Sequence, residues 1–241
     1  MCGRFTQVQD VATYMAELDT PQLVLGFLEP EPIGRYNVAP RTKVQIIRST
    51  DGGVRVDGVR WGWAPFWAAE RKIPPAINAR VETVATNKFF KSVWPHRALV
   101  MADGWYEWVK HPENDKIKQP YYITRKGGGV MFFAALCQVH EGLEQAESDG
   151  FTIITAAANQ GLLDIHDRRP VVLAPAMARE WLEPDVAQER AQEIARDEGL
   201  SANAFEWYPV GPAVVNVKNE GAALTEKIEH PLFEITLLKN G

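Results

Sequence analysis

The sequence predicts an α+β fold: a single domain with a mostly antiparallel sheet that curls toward a barrel-like core and carries peripheral helices. Three observations support this prediction. The chain has 241 residues, 46% of them hydrophobic, which is enough for one large core. Short runs rich in β-branched and aromatic residues recur between turns containing Gly, Pro and Asn, as in antiparallel sheets. Helical periodicity is confined to a few segments, and no internal repeat is present.

The elements can be predicted in chain order. Thr6 to Gln9 has the form of a capping box, and apolar residues at helical spacing extend a helix to about Leu18. Residues 34–40 have the composition of a turn. Further helices are predicted at 86–94 and, interrupted near Pro184, at 175–199; strands are predicted at 44–48, 54–61, 98–101, 121–124, 130–139, 151–155, 171–173 and 205–210.

Two hairpins are expected among these strands. One joins 44–48 to 54–61 through a turn at 51–53, and the other joins 121–124 to 130–139 through Gly127-Gly128-Gly129. Residues 111–119 are predicted as a polar loop and 141–150 as an acidic surface loop. The domain spans residues 1–223, and 224–241 form a tail in which 233–238 are expected to add an edge strand.

Composition limits the setting of the protein. No basic and apolar leader opens the chain, and no apolar run approaches the ~18 residues of a spanning helix. Two cysteines are too few for a disulfide framework, so we expect a cytoplasmic protein with reduced thiols and a buried, structural Cys137. No metal-ligand spacing or cofactor motif is present, and no membrane partner is expected.

The charge is unevenly distributed along the chain. The net charge is −5, which argues against a generic nucleic-acid binder. However, residues 35–97 hold twelve Lys and Arg against four Asp and Glu, whereas residues 140–206 hold five against fourteen. This asymmetry predicts a basic face and an acidic face, with two solvated surfaces of no function as the alternative.

The second residue is the first candidate for chemistry. Removal of Met1 would leave Cys2 at the terminus with a free α-amine and a thiol, each with a usable nucleophilic fraction near neutral pH. Such an aminothiol can condense with an aldehyde to a thiazolidine, or its thiol can attack an amide. The alternative is that Cys2 belongs to a disordered terminus without a role.

Two segments are dense in aromatic residues. Residues 61–67, Trp-Gly-Trp-Ala-Pro-Phe-Trp, contain rings for the core and, because of the Gly and Pro, rings exposed for stacking on unpaired bases. In residues 102–108, Glu107 is framed by Trp105, Tyr106 and Trp108. Apolar surroundings disfavour the charged carboxylate and make Glu107 a candidate general acid, with a strand ion pair as the alternative.

Two further positions carry candidate groups. Asn78 and Arg80 fall on one side of an extended segment. His166 lies among Asp164, Asp167 and Arg168, whose charges could hold its pKa near neutrality, although a lone histidine is more often structural.

Seven segments taken together resemble one known family. They are residues 2–5, 34–40, 61–67, 77–83, 102–108, 155–170 and 216–221. In this order they resemble the SRAP family (SOS-response-associated peptidase, or abasic site processing proteins), and most closely its bacterial single-domain members. The resemblance covers Cys2 to about Ala222. It implies a barrel-like sheet with a cationic groove, and an activity that shields abasic sites in single-stranded DNA by covalent attachment.

The resemblance also implies roles for individual residues. Cys2, freed of Met1, matches the residue that forms a thiazolidine with the ring-opened sugar aldehyde. Asn78 matches the amide that holds the new terminus, Glu107 the carboxylate that assists ring opening, and His166 the imidazole that moves protons on the sugar hydroxyl and in reversal. Phosphate-contacting positions are Arg4, Arg80, Thr155 and Arg168, and positions lining the base and sugar path are Asn37, Pro40, Trp67 and Trp108.

One position departs from the family pattern, and two other functions stay open. Ala68 follows Trp67 where some relatives carry a second tryptophan as a wedge, so the treatment of a single-strand/double-strand junction is open. We expect a monomer that needs no cofactor and associates with the nucleoid on damaged DNA. The alternatives are a peptidase or amidase with Cys2 as N-terminal nucleophile, and a module that binds single strands without chemistry.

Overall fold

Two mostly antiparallel sheets form the frame of the protein in the computed structural model, which describes residues 2–21, 24–25, 31–140, 149–159, 161–162 and 165–233. The smaller sheet contains β1 (Phe5–Gln7), β3 (Arg35–Val38), β8 (Gly104–His111), β9 (Asn114–Arg125) and β14 (Phe205–Pro209). The larger contains β2 (Val24–Leu25), β4 (Lys43–Thr50), β5 (Gly53–Arg60), β6 (Asn78–Arg80), β7 (Arg97–Ala102), β10 (Met131–Gln138), β11 (Gly150–Ala157), β12 (Arg168–Pro170) and β13 (Val172–Leu173).

The strand order brings distant parts of the chain together. The smaller sheet runs β14-β9-β8-β1-β3, and the larger runs β12-β11-β10-β7-β4-β5-β2, with β13 on β10 and β6 on β11. Only β6/β11 and β2/β5 are parallel among the described strand pairs. The predicted α+β class and single domain are confirmed; the sheets curl, and neither closes on itself among the described residues.

Alternation along the central strands creates two cores. On β7, Ala98 and Val100 face the small sheet, where they pack in a cluster with Phe5 and Trp105. Leu99, one residue away, packs on the opposite side with aromatic and aliphatic residues of the helices. The site described below lies at one end of the inter-sheet core.

The described part of the chain contains four α-helices: α1 (Val11–Leu18), α2 (Phe66–Glu70), α3 (Pro175–Leu182) and α4 (Gln188–Asp197). Residues of α1, α3 and α4 pack in the core on the outer side of the large sheet. The predicted interruption near Pro184 is confirmed by the break between α3 and α4. The predicted capping box is wrong. Thr6 is a buried residue of β1, and Asp10 caps α1 by accepting a hydrogen bond from the Thr13 backbone N–H at 2.8 Å.

Three other local predictions are corrected. Residues 86–94 form successive turns rather than a helix, and residues 35–38 of the predicted turn form β3. Residues 114–119 belong to β9, which pairs with β8 from Gly104 onward. The second hairpin is wrong, because β9 joins the small sheet whereas β10 joins the large one.

The first part of the predicted tail packs on the small sheet. Leu224 is buried, and the Leu232 backbone N–H donates to the Gln119 side chain at 2.7 Å. The predicted edge strand at 233–238 and the acidic loop at 141–150 lie largely outside the described residues. Among the described residues, no helix is both long and apolar enough to cross a bilayer.

Candidate active site

Cys2 lies at the bottom of the site and is tied down by the strand that follows it. β1 pairs with β3 on one side and β8 on the other, so the terminus is part of the small sheet. The Cys2 side chain is fully buried in the inter-sheet core. Burial, followed by the negative charge of Glu107, raises the pKa of its thiol. The thiol is therefore held neutral. The alternative of a disordered terminus is wrong, because the strand that follows Cys2 orders this end of the chain.

Asn78 contacts Cys2 directly. It begins β6, which pairs in parallel with β11 so that Asn78 lies opposite Ile153. Its Nδ2 donates to the Cys2 carbonyl oxygen at 2.8 Å. Its Oδ1 is buried with no hydrogen-bond partner among the described residues. Leaving a buried acceptor without a hydrogen bond is energetically costly. The amide thus offers an acceptor beside the first residues of the chain.

Glu107 faces the same core as Trp105 because side chains on β8 alternate between the two faces. Only 3% of Glu107 is exposed. Burial raises its pKa from 4.5 to about 7, and the Asp167 carboxylate adds to the increase. At neutral pH this carboxyl exists in comparable protonated and ionised amounts, as a group that both gives and takes protons requires.

His166 lies at the mouth of the site, with its side chain 30% exposed. Its Nε2 is 4.0 Å from Glu107 Oε2. Its Nδ1 accepts a hydrogen bond from the Arg168 backbone N–H at 3.0 Å and lies 2.7 Å from Asp167 Oδ1. Partial burial lowers the pKa of the imidazole, so at neutral pH it is mainly uncharged and available as a base.

The structure therefore brings the four predicted catalytic residues together from four separate segments. Cys2 contacts Asn78, the charge of Glu107 acts on Cys2, and His166 lies beside Glu107. Within the described residues, no group of three or more His, Cys, Asp or Glu is arranged to hold a metal ion.

Three of the predicted phosphate-contacting residues lie side by side on adjacent strands. β11 pairs with β6 and β12, which sets Thr155 opposite Arg80 and Ala157 opposite Arg168. Arg80 is exposed, whereas Thr155 is fully buried and its hydroxyl donates to the Ala79 carbonyl at 3.4 Å. The Arg168 guanidinium donates to the Thr155 carbonyl oxygen at 2.6 Å.

Arg4 belongs to a second group on the small sheet. Its guanidinium donates to Asn37 Oδ1 at 2.7 Å and lies 5.7 Å from the ring centre of Trp108, at cation–π distance. Asn37 is 1% exposed, and its Nδ2 lies within hydrogen-bond distance of three carbonyl oxygens in residues 214–219. The structure thus gives Asn37 a positioning role, because its amide joins Arg4 to that segment.

Trp67 and Pro40 belong to neither of these two groups of residues. Trp67 is half-buried, packs edge to face on Phe89, and carries Arg71 and Lys88 over its ring at 5.8 and 5.9 Å. Pro40 is half-buried just beyond β3. The expectation of mixed burial in residues 61–67 is confirmed, since Trp61 is fully buried whereas Phe66, next to Trp67, is 72% exposed.

Sequence reasoning missed one contact at the site. Glu82 pairs with Arg168, at 2.6 and 2.9 Å, and occupies the outer edge of its guanidinium. No local pattern could indicate this pair, because it depends on the registers of β6, β11 and β12 over 86 residues of sequence separation.

Known proteins match this chain over most of its length. The family model described as SOS response associated peptidase (SRAP) matches residues 1–217. The chain belongs to the SRAP family. It is 49% identical to the abasic site processing protein YedK of Escherichia coli over 95% of this chain and all of the relative. It is 33% identical to the abasic site processing protein YoaM of Bacillus subtilis, again over 95% and 100% of the two chains.

Solved structures of similar proteins share the SRAP fold seen here. A phage-related protein from Bordetella bronchiseptica is 36% identical and superposes with a TM-score of 0.70 over 87% of this chain and 94% of its own. A protein from Bacteroides thetaiotaomicron, 21% identical, has a TM-score of 0.73 over 94% and 100% of the two chains, a likeness of fold alone.

Proposed function

We propose that this protein processes abasic sites in single-stranded DNA by forming a covalent thiazolidine between Cys2 and the ring-opened sugar aldehyde. The observation that carries the proposal is the position of Cys2, buried between Asn78 and Glu107 at the start of an ordered strand. The names of the SRAP relatives support the same substrate. The reaction makes the protein a DNA–protein cross-linking enzyme that shields the lesion.

The proposed reaction consists of three steps. The closed sugar opens when the anomeric hydroxyl loses a proton and the ring oxygen gains one, which leaves an aldehyde and a free hydroxyl. The α-amine of Cys2, free once Met1 is removed, adds to the aldehyde, and loss of one water gives an imine. The thiol then adds across the imine, with sulfur bonding to carbon and the proton moving to nitrogen.

The neighbouring residues have separate roles in this sequence. Asn78 Oδ1, which lacks a donor among the described residues, accepts from the new α-amine and orients it. Glu107, with a pKa of about 7, gives and takes protons during ring opening. His166, at the mouth of the site, exchanges protons with the sugar hydroxyl and with the adduct during release.

The neutral thiol favours this order of events. A peptidase or amidase needs a thiolate for direct attack, and burial together with Glu107 makes the thiolate of Cys2 rare. Imine formation instead begins at the amine, and the basic imine nitrogen then takes the thiol proton as sulfur bonds to carbon. The peptidase alternative is thus less well supported than the aldehyde reaction.

The DNA strand is proposed to approach along the two cationic groups. Arg80 and Arg168 contact phosphates on one side, and Arg4 does so on the other. The predicted contact from Thr155 is wrong in its direct form, because Thr155 is fully buried and instead orients Arg168 through its backbone carbonyl. Asn37, Pro40, Trp67 and Trp108 line the path of base and sugar, with the Asn37 contribution indirect because its amide is occupied. An abasic site has no base to extrude, so the strand can enter at little unstacking cost.

The direct test is a cross-linking assay. Purified protein is mixed with a single-stranded oligonucleotide carrying one abasic site, and the products are separated on a denaturing gel. We expect a shifted band for the wild type and none for Cys2→Ala or for a strand with all bases intact.

Cys137→Ala provides the matched control, since Cys137 is also a buried thiol but lies on β10 away from Asn78. This variant should retain the shifted band. A band that persists in Cys2→Ala and disappears in Cys137→Ala would refute the proposal. Non-covalent binding alone would favour a module that recognises single strands without chemistry.

A further inference from the structure

The ion pair between Glu82 and Arg168 joins an exposed carboxylate to a largely buried guanidinium. The Arg168 side chain is only 11% exposed, whereas that of Glu82 is 48% exposed. Arg168 Nη1 and Nη2 donate to the two carboxylate oxygens of Glu82 at 2.6 and 2.9 Å. The carboxylate therefore covers the solvent-facing edge of a guanidinium that is otherwise enclosed.

The guanidinium is oriented by a contact other than Glu82. Nη2 also donates to the Thr155 backbone carbonyl at 2.6 Å, which fixes the guanidinium relative to β11. Arg168 lies two residues from His166, and Glu82 lies four residues from Asn78. The pair thus borders the candidate active site. Hydrogen bonding to Arg168, with a further contribution from the charge of Arg80, lowers the pKa of Glu82, so its carboxylate stays ionised at neutral pH.

We propose that Glu82 is a specificity-determining residue that competes with DNA phosphate for Arg168 and thereby weakens the retention of intact strands. This inference rests on the proposed function, in which Arg168 contacts the DNA backbone. Carboxylate and phosphate present the same pair of oxygens to the fork of an arginine, so one can replace the other without moving the guanidinium.

Competition at Arg168 affects intact and abasic strands differently. An intact strand is held only by reversible contacts, so competition from the Glu82 carboxylate directly lowers the fraction of protein bound to that strand. An abasic strand passes into a covalent adduct, after which its retention no longer depends on Arg168. Glu82 thus increases discrimination at the expense of initial affinity.

The test compares wild type with Glu82→Gln in binding to an intact single-stranded oligonucleotide by fluorescence anisotropy. We expect Glu82→Gln to bind about threefold to tenfold more tightly at low salt, because one opposing charge is removed close to a phosphate. The dependence of log Kd on log salt should steepen by about 0.7, the increment of one phosphate contact on a single strand.

Glu180→Gln provides a control that removes the same charge from another two-pronged ion pair. Glu180 accepts from Nε and Nη2 of Arg190, at 2.6 and 2.9 Å, and lies on α3 rather than beside the candidate site. This variant should bind the oligonucleotide as the wild type does. Equal gains in both variants would overturn the proposal, because net charge alone would then explain the effect.

A competition assay measures the consequence for selectivity. The intact strand is titrated into the cross-linking reaction, and we expect it to inhibit Glu82→Gln at severalfold lower concentration than wild type. Unchanged or weaker binding by Glu82→Gln would overturn the inference, since Glu82 would then only orient Arg168. That result is separable from failure of the proposed function, in which the wild type itself forms no adduct.

Discussion

At the scale of single residues, the burial of Glu107 has opposite effects on the protonated and ionised forms of its carboxyl. Its position on the inner face of β8 removes it from water, and burial raises its pKa to about 7. The same burial penalises the ionised form that accepts a proton. A carboxyl in this position is useful for proton transfer because it is energetically balanced between two states.

The Glu107 carboxyl should make stability depend on pH. Because its pKa is raised from 4.5 to about 7 in the folded state, protonation of the carboxyl stabilises that state, and the stabilisation is complete below pH 4.5. That contribution is lost as the pH rises through about 7. It corresponds to about 3 kcal/mol, since one pKa unit equals about 1.4 kcal/mol. Glu107→Gln should therefore gain stability relative to wild type between pH 5 and 8, while adduct formation slows.

The measurements are urea unfolding across that pH range and a single-turnover time course of cross-linking. Glu206→Gln is the control, because Glu206 is an exposed carboxyl on β14. A stability difference that does not change with pH would contradict the assigned burial effect, and an unchanged cross-linking rate would remove the proton-transfer role.

The candidate site was predictable at this scale only in part. Glu107 could be predicted because its aromatic neighbours are adjacent in sequence. Asn78 and His166 needed the family pattern, since a single amide or imidazole has no distinctive local signature. The hydrogen bonds from Asn37 Nδ2 and the pairing of Glu82 could not be predicted, because both depend on partners more than 80 residues away.

At the scale of elements, one close approach between strands is set by a glycine. Gly150 begins β11 opposite the chain that leaves β5, and the Gly62 N–H donates to the Phe151 carbonyl at 2.8 Å. A Cβ built on Gly150 would overlap the Gly62 carbonyl oxygen far inside van der Waals contact. Only glycine therefore allows β11 to begin here without shifting the backbone.

Gly150→Ala should consequently lower the free energy of unfolding by about 3 kcal/mol, the upper part of the range for overpacking. Gly211→Ala is the matched control, because Gly211 has a φ of −63° and nothing within 4 Å of a built Cβ. It should change stability by no more than about 1 kcal/mol. Equal losses in both variants, measured by urea unfolding, would contradict the steric argument.

Strand positions were more predictable than strand partners. Alternation and turn residues located most strands, and the hairpin of β4 and β5 formed as expected from its Gly turn. The second predicted hairpin is wrong because β9 and β10 belong to different sheets, and the connection between them runs through Gly127 to Gly129, all with positive φ. Local composition specifies where a strand stops, whereas its partner depends on which apolar face must be buried.

At the scale of the whole molecule, an acidic protein is proposed to bind a polyanion. The net charge of −5 is opposed locally by the excess of Lys and Arg in residues 35–97. Because the field at a groove depends on nearby charges, the local excess matters more than the total at physiological salt.

Binding of an intact single strand by the wild type should weaken as salt increases. Among the described residues, Arg4 and Arg80 are the predicted phosphate contacts that form no salt bridge, whereas Arg168 is paired with Glu82. We therefore expect log Kd to rise with log salt with a slope of about 1.4, or about 0.7 for each phosphate contact. Anisotropy titrations between low and high salt measure this slope. A slope near zero would argue that stacking on Trp67 and Trp108, rather than charge, holds the strand.

The proposed thiazolidine requires that both nucleophilic groups of Cys2 bond to one sugar carbon. The most direct measurement is mass spectrometry of the N-terminal peptide from the purified adduct, after treatment with a thiol-alkylating reagent. We predict a peptide that lacks Met1, carries the sugar remnant less one water, and resists alkylation at Cys2. A peptide whose Cys2 thiol is still alkylated, or a sugar remnant attached to a lysine elsewhere, would contradict the claim.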